Sequence, residues 1–436
     1  MMIDILIITI YVLILIFALA LLRRNNRVRT VNLYSGFIFG IVLYYIIVPI
    51  VSLIFREELI ERYPELRIYI FSSDFSTLLP IILITSTVIF FTVGYEAAYG
   101  KKKKLNQYFE NVNLNSIKLI SHFTFVVGII SFALFISGFG SLTNAMRYAE
   151  MNRSFSVSLA DLIDYRLSLL FIPSRMITVA PFLYFYQLKN TKKLSPRILF
   201  VISFIVSIFY FLFNAGKGPL LAFLLPFGYV ILKKFKKNAW RYVVALGLLS
   251  LPLLEVLDRL FLFLADGYWR NKGIDFLKLF YQFIHPFRNI SNVVHITNEF
   301  GYRFFKDFIT GPLNLMPGVN FEKSYEITSR FYFGDMWKSI GGVPNDLITF
   351  GYLQANILGV VIFSLLVGYL FGVIDKHLRN LNYGTAKELI TSLLIISAFR
   401  LIPNADIEPF LRSNFIMILI PIAVIRYSKK NRLNRR

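Results

Sequence analysis

Residues 3–24 read IDILIITIYVLILIFALALLRR, an apolar run broken by one acid, Asp4, and closed by Arg23 and Arg24. About 20 such residues are what an α-helix needs to cross ~30 Å of hydrocarbon. A cleaved signal peptide carries positive charge before its apolar core and small residues after it. Here Asp4 stands at the start and no such cleavage site follows. The run therefore reads as a helix that stays, with its start facing outward and its arginines on the cytoplasmic side.

Working outward, similar runs recur along the whole chain. The candidate spans are 3–22, 31–54, 77–99, 119–137, 167–187, 197–213, 219–232, 242–257, 347–374, 389–402 and 411–427. The expected fold is all-α: a polytopic transmembrane helical bundle of about eleven spans. Residues 1–436 form a single integral membrane domain, within which 258–346 is one large extracytoplasmic loop. Its frequent Tyr, Phe and Trp argue against a disordered linker and for amphipathic helices lying at the membrane interface.

The composition agrees: 56% of the 436 residues are hydrophobic, 17% are aromatic, and mean hydropathy is +0.61. The net charge of +22 would suggest a nucleic-acid partner in a soluble protein. Its distribution points to topology instead. Basic residues crowd short stretches between apolar runs, at 23–29, 101–104, 189–193, 233–237 and 429–436. Eleven spans place all of them on one side, the cytoplasmic one, together with the C-terminus. Cysteine is absent, which excludes disulfides and thiolate metal sites, and the four histidines lack metal-ligand spacing.

Several polar groups remain on the outer side. Lys278, Gln282, His285, Arg288, Asn292, His295 and Glu299 recur every three to four residues. On a helix they form one stripe, either the solvated face of an interfacial helix or the wall of a groove holding His285 and Arg288. Pro286 kinks or restarts this helix, with His285 as its cap. Lys217, between Gly216 and Gly218, offers a compact cation where backbone approaches closely, or is a snorkelling lysine in a tight turn. The last outer loop places Arg400, Asp406, Glu408 and Arg412 at helix ends. There they are either a functional set or a helix start with a Glu408–Arg412 pair. Arg147, Arg153, Arg166, Arg175, Arg270, Arg330 and Lys338 add cations beside aromatic side chains such as Tyr148. Such surroundings suit a lipid pyrophosphate and sugar rings. No zinc-protease, serine-hydrolase, P-loop or dinucleotide-binding motif is present.

The order and spacing of several pieces resemble the Wzy-type oligosaccharide repeat-unit polymerases, which include the O-antigen and enterobacterial common antigen polymerases. The pieces are Gly138-Phe-Gly140 with Arg147-Tyr148, the turn Asn214-Ala-Gly-Lys-Gly218, Phe308-Ile-Thr-Gly-Pro312 and Met316-Pro-Gly318. They continue with Gly341-Gly-Val-Pro-Asn-Asp-Leu-Ile-Thr-Phe-Gly351, the glycines Gly359, Gly368 and Gly372, and the stretch from Arg400 to Arg412. Lys217 stands where relatives commonly carry arginine.

The resemblance implies a multi-pass protein of the bacterial cytoplasmic membrane, compatible with a GT-C-like architecture. Its expected activity is transfer of a glycan from polyprenyl (undecaprenyl) pyrophosphate to the non-reducing end of a lipid-linked repeat unit, with inversion and without nucleotide. Arg147, Arg166, Lys217, Arg288, Arg400 and Arg412 would hold the pyrophosphate. Asp406, Glu408 and His285 are the candidate catalytic groups. Tyr148, Arg270, Arg330 and Lys338 are secondary groove candidates. No cofactor or metal is expected. Membrane lipid, a chain-length regulator and a flippase are the expected partners beside the substrate. An O-antigen ligase, or a transporter of lipid-linked oligosaccharides, are the alternative readings.

Overall fold

The computed structural model describes residues 2–24, 32–63, 65, 78–100, 114–153, 163–190, 194–213, 276–281, 283–316, 319–336, 342–380 and 385–433, with scattered positions between 219 and 267. Every regular element among them is helical. In chain order they are α1 (Met2–Arg24), α2 (Leu33–Val42), a π-helical turn (Leu43–Ile47), α3 (Val48–Ile54), α4 (Arg56–Arg62), α5 (Leu78–Tyr99), α6 (Leu114–Ser137) and α7 (Leu142–Arg153). Then come α8 (Tyr165–Leu169), α9 (Phe171–Ser174), a 3-10 turn (Arg175–Thr178), α10 (Ala180–Asn190), α11 (Leu194–Phe213), α12 (Phe276–Tyr281), α13 (His285–Phe300) and α14 (Asp307–Leu313). The chain closes with α15 (Ser324–Phe333), a 3-10 turn (Gly334–Met336), α16 (Leu347–Asn380), α17 (Thr385–Leu401) and α18 (Ile407–Leu433).

Six helices among the described residues are long and apolar enough to cross a membrane: Asp4–Leu22, Leu33–Ile54, Leu78–Tyr99, Ile117–Ser137, Leu194–Phe213 and Leu347–Leu378. This is a helical, multi-pass membrane protein, but the count of eleven is not reproduced. The 167–187 run is broken into α8, α9, a 3-10 turn and α10. Pro173 and Pro181 lie in it, and each removes a helix donor. The 389–402 run is a shorter apolar helix, Leu389–Leu401. The 411–427 run lies inside α18, while 219–232 and 242–257 fall largely outside the described residues.

The chain divides into two compact units. The first comprises residues 1–104, 275–377 and 398–412, and the second 105–274, 378–397 and 413–436. In the first, the start of α2 has its donors satisfied twice over. Asn32 and Ser35 form a reciprocal capping box. The Asp375 carboxylate accepts the amides of Leu33 (3.0 Å) and Tyr34 (3.4 Å), and Tyr95 donates its hydroxyl to it at 2.8 Å. A carboxylate at a helix N-terminus meets both the unpaired amides and the helix dipole. Phe37 stacks on Phe91, with Phe371 edge-on, so α2, α5 and α16 share one aromatic layer.

Close approach of α5 and α16 depends on glycines. A Cβ on Gly368 would collide with the Phe91 carbonyl oxygen, one on Gly372 with that of Tyr95, and one on Gly94 with that of Leu365. Small residues four apart let helix backbones meet in a medium where burial from water gives no driving force.

The 347–374 run is not one continuous helix. Ala355 (φ −164°, ψ 50°) and Asn356 (φ 57°, ψ −148°) break it. The part before the break folds back along the part after it. Gly351 sits against Gly359 and Val360, and the Phe350 and Phe363 rings are 5.0 Å apart. In an unbroken helix those rings would be separated by about 20 Å along the axis.

In the second unit, α6 packs against the 3-10 turn at Arg175–Thr178, where a Cβ on Gly128 would lie 2.7 Å from the Ile177 amide nitrogen. Ser207 donates to the Ile177 carbonyl at 2.9 Å, and His122 Nδ1 meets the Tyr184 hydroxyl at 3.0 Å. Phe182, Phe200, Phe204, Phe223 and Phe227 form an aromatic cluster beside them.

Replacing Gly368 by alanine is expected to wedge α5 from α16 and destabilise by about 1–3 kcal/mol. Leu370→Ala, on the exposed side of α16, is expected to leave the melting temperature of the detergent-purified protein nearly unchanged. Equal effects of the two would contradict the glycine-mediated contact.

Candidate functional site

The two irregular segments 342–346 and 402–406 are tied to each other. Ala405 donates its amide to the Asn345 carbonyl at 2.8 Å, and Leu347 donates to the Ile402 carbonyl at 2.9 Å. The Asp406 carboxylate closes the junction. Its Oδ1 accepts from Ser324 Oγ (2.6 Å) and Asn345 Nδ2 (2.9 Å), and its Oδ2 accepts from the Asn345 amide (2.8 Å). Thr328 donates to the Asn345 side-chain oxygen, which fixes that amide's orientation.

This junction lies well down the membrane helices. Tyr45 donates to Asp346 Oδ1 at 2.6 Å, and Tyr45 is twelve residues along its helix from Leu33, about 18 Å. The span Leu33–Ile54 has 22 residues, so Asp346 is level with its middle. Irregular backbone at such depth is tolerated where protein groups or a polar cavity satisfy it. Asp346 also accepts the amides of Ile348 and Thr349 at the start of α16. The π-helical turn at Leu43–Ile47 is what aims Tyr45 here, with Pro49 following it.

His285 and Arg288 lie at the same place. His285 Nε2 is 3.1 Å from the Pro403 carbonyl oxygen, to which it donates. Helix α13 begins at His285, with Ile284 as its cap and Pro286 in its first turn. Arg288 is 9% exposed, its guanidinium carbon 4.1 Å from the Tyr332 ring centroid. Its Nε has no hydrogen-bond partner, and no described carboxylate pairs with it. Nearby, the Tyr44 ring packs on Phe283 and Phe399 (5.8 and 5.7 Å), beside half-buried Arg400.

The stripe from Lys278 to Glu299 is accordingly not one solvated face. Arg288 and Asn292 are buried inside the unit, while His295 and Glu299 are exposed. Helix α13 is buried all round in its first half, from Pro286 to Ile290, and exposes Val294, His295, Asn298 and Glu299 in its second, so its polar stripe is solvated over the second half alone.

Glu408 is buried between two cations, with Lys323 Nζ at 3.2 Å and an Arg412 guanidinium nitrogen at 2.9 Å. The expected Glu408–Arg412 pair is therefore present, and it opens α18. Burial works against the Lys323 ammonium, but Tyr325, Glu408 and Glu326 together hold its pKa above the ordinary lysine value. Arg330 pairs with Glu322 at 2.7 Å, and Glu322 also pairs with Arg303. These groups belong to a network that ends on Asp307 and Gln354.

In the second unit, Arg147 and Arg166 are exposed, and the Tyr148 ring stacks on Phe139 at 5.0 Å. Lys217, Arg270 and Lys338 lie outside the described residues. Lys323, Tyr332, Asn345 and Asp346 are part of the first-unit constellation without having been singled out by sequence. The Asn345-Asp346 pair directly before a long apolar run was the available signal; Lys323 and Tyr332 had none. The chain was compared with family models, curated proteins and solved structures, and none matches significantly.

Asp406→Ala strands three buried donors and is expected to destabilise by about 3 kcal/mol. Arg412→Ala is expected to cost less than about 1 kcal/mol, since Arg412 is half exposed and Lys323 still faces Glu408. Thermal unfolding of both variants in one detergent measures the order.

Proposed function

We propose that this chain is a polysaccharide polymerase. It moves a glycan from polyprenyl pyrophosphate to the non-reducing end of a lipid-linked repeat unit, in a site entered from the outer side of the cytoplasmic membrane, with its C-terminus in the cytoplasm. The observation that carries the reading is Arg288: a buried guanidinium against an aromatic ring, with no described carboxylate to neutralise it. Arginine stays protonated in proteins, and a buried charge without a counter-ion is costly. An anionic ligand is the group that would relieve it, and a pyrophosphate supplies the acceptor oxygens.

The chemistry asked of such a site is one displacement. An acceptor sugar hydroxyl oxygen bonds to the anomeric carbon of the donor as the bond from that carbon to the pyrophosphate oxygen breaks. The electron pair leaves with the pyrophosphate, where Arg288 and Arg400 offset the developing charge. The hydroxyl proton goes to a base. The Asp406 oxygens already hold protein donors, and Glu408 is held by Lys323 and Arg412. His285 is the proposed base, since an imidazole is matched to proton transfer near neutral pH. The donor is already activated, so the lack of a P-loop in the sequence is consistent with this reaction.

The break at Ala355–Asn356 favours a second reading, a transporter, because broken helices build transport sites. Here the Leu353 and Gln354 carbonyls at the break accept the Arg303 and Phe304 amides at 2.8 and 2.9 Å. Those acceptors are used by the fold itself, which favours the polymerase.

In a bacterial strain whose own gene is deleted, Arg288→Ala and Arg288→Lys are expected to express at the normal level yet leave only single repeat units on the acceptor lipid. Loss of all repeat units would indicate a ligase instead. Full-length polymer with Arg288→Ala would refute the assignment.

A further inference from the structure

Helix α14 is inside out. Its buried side carries Asp307, Thr310, Gly311 and, just beyond its end, Asn314. Its outer side carries Ile309 at 68% exposure beside the exposed Lys306, whose stem can lie along apolar surface with its ammonium among headgroups; Leu315 and Met316 follow, and Phe304 at 76% precedes. Every buried polar group has its partner. Asp307 accepts from Arg303 and Gln354, Thr310 donates to the Lys306 carbonyl, and the Asn314 amide bonds the Phe321 backbone through both its oxygen and its nitrogen. A helix surrounded by water shows the opposite distribution.

The backbone leading into it is held in an uncommon conformation. Phe304 (φ 46°) and Phe305 (φ 61°) are both left-handed, where bulky residues are rare and persist only if their surroundings impose it. The amides of Arg303 and Phe304, clamped to the Leu353 and Gln354 carbonyls, impose it here. The result is that the Phe304 ring points away from the protein.

The clamp also sets the depth of this segment. From Ile357 to Leu378, α16 rises about 33 Å, close to the ~30 Å of the hydrocarbon layer. Its exposed residues Ile357, Leu358, Leu366, Tyr369 and Leu370 are the lipid-facing stripe of that span. Gln354, and with it Phe304, is therefore at one edge of the hydrocarbon, next to Ile357 and Leu358.

We propose that residues 302–316 are a membrane-docking element whose occupant is the acyl-chain region of the adjoining leaflet, entered by Phe304, Ile309 and Met316. The polar inner face of α14 binds the rest of the first unit, and the apolar outer face binds lipid. This surface does not depend on the polymerase assignment.

The chain has no cysteine, so Phe304→Cys, Ile309→Cys and Asp335→Cys each give a single labelling site. Labelled with an environment-sensitive fluorophore and reconstituted in phosphatidylcholine/phosphatidylglycerol vesicles, the labels at 304 and 309 are expected to be quenched severalfold more by nitroxide-bearing lipid than by aqueous iodide. The order is expected to reverse at the exposed Asp335. Iodide quenching at 304 and 309 equal to that at 335 would overturn the proposal. Shielding from both quenchers would overturn it as well, since it would place a protein contact there. Met316→Cys carries the same comparison if either of the first two fails to fold. No glycan substrate is needed, so the outcome is separate from that of the activity tests.

Discussion

Backbone amides and carbonyls at membrane depth need partners from the protein itself, and the first unit is organised around meeting that need where its helices stop. Segments 342–346 and 402–406 are non-helical and level with the middle of a 22-residue span. They hold by pairing with each other and with the Asp406 carboxylate. Asp346, one residue on from Asn345, starts α16 and receives Tyr45. The same junction brings His285 and Arg288 toward the end of α17, because Pro403 supplies the carbonyl that His285 meets. The polar cluster is a by-product of how the chain descends and returns, and any chemistry it performs inherits that geometry.

Two other devices solve the same problem elsewhere in this unit. At the start of α2, Asp375 reaches across to fill the amides a helix leaves open. At the break in α16, the loop amides of Arg303 and Phe304 fill the carbonyls a helix leaves open. Each joins residues distant in sequence, and each frees an adjacent surface for another role. Glycine-mediated approach of α5 and α16 does the remaining work of holding the long helices together.

Much of the helical membrane character was legible from apolar runs such as 3–22, 31–54 and 77–99, since length and composition alone report on lipid. The break at Ala355–Asn356 was not, because the apolar run continues through it and only the packing of Gly351 on Gly359 reveals the reversal. The 167–187 run was also overcounted: its prolines carry more weight than its hydropathy. For the site, His285, Arg288, Arg400 and Asp406 were visible as polar residues in apolar surroundings. What sequence left open was their division of labour. Asp406 became a structural acceptor because Ser324 and Asn345 come from other parts of the chain. Sequence left open whether the stripe on α13 faces solvent or lines a groove, because a buried arginine and an exposed histidine share the same helical spacing.

In the proposed reaction the buried Arg288 guanidinium serves transfer from a lipid pyrophosphate. That reaction is tested most directly with purified protein in lipid nanodiscs supplied with synthetic polyprenyl pyrophosphate-linked repeat units and no nucleotide. Growth of the glycan is expected, with one polyprenyl pyrophosphate released for each linkage formed. Bound substrate with neither growth nor release of polyprenyl pyrophosphate would contradict it.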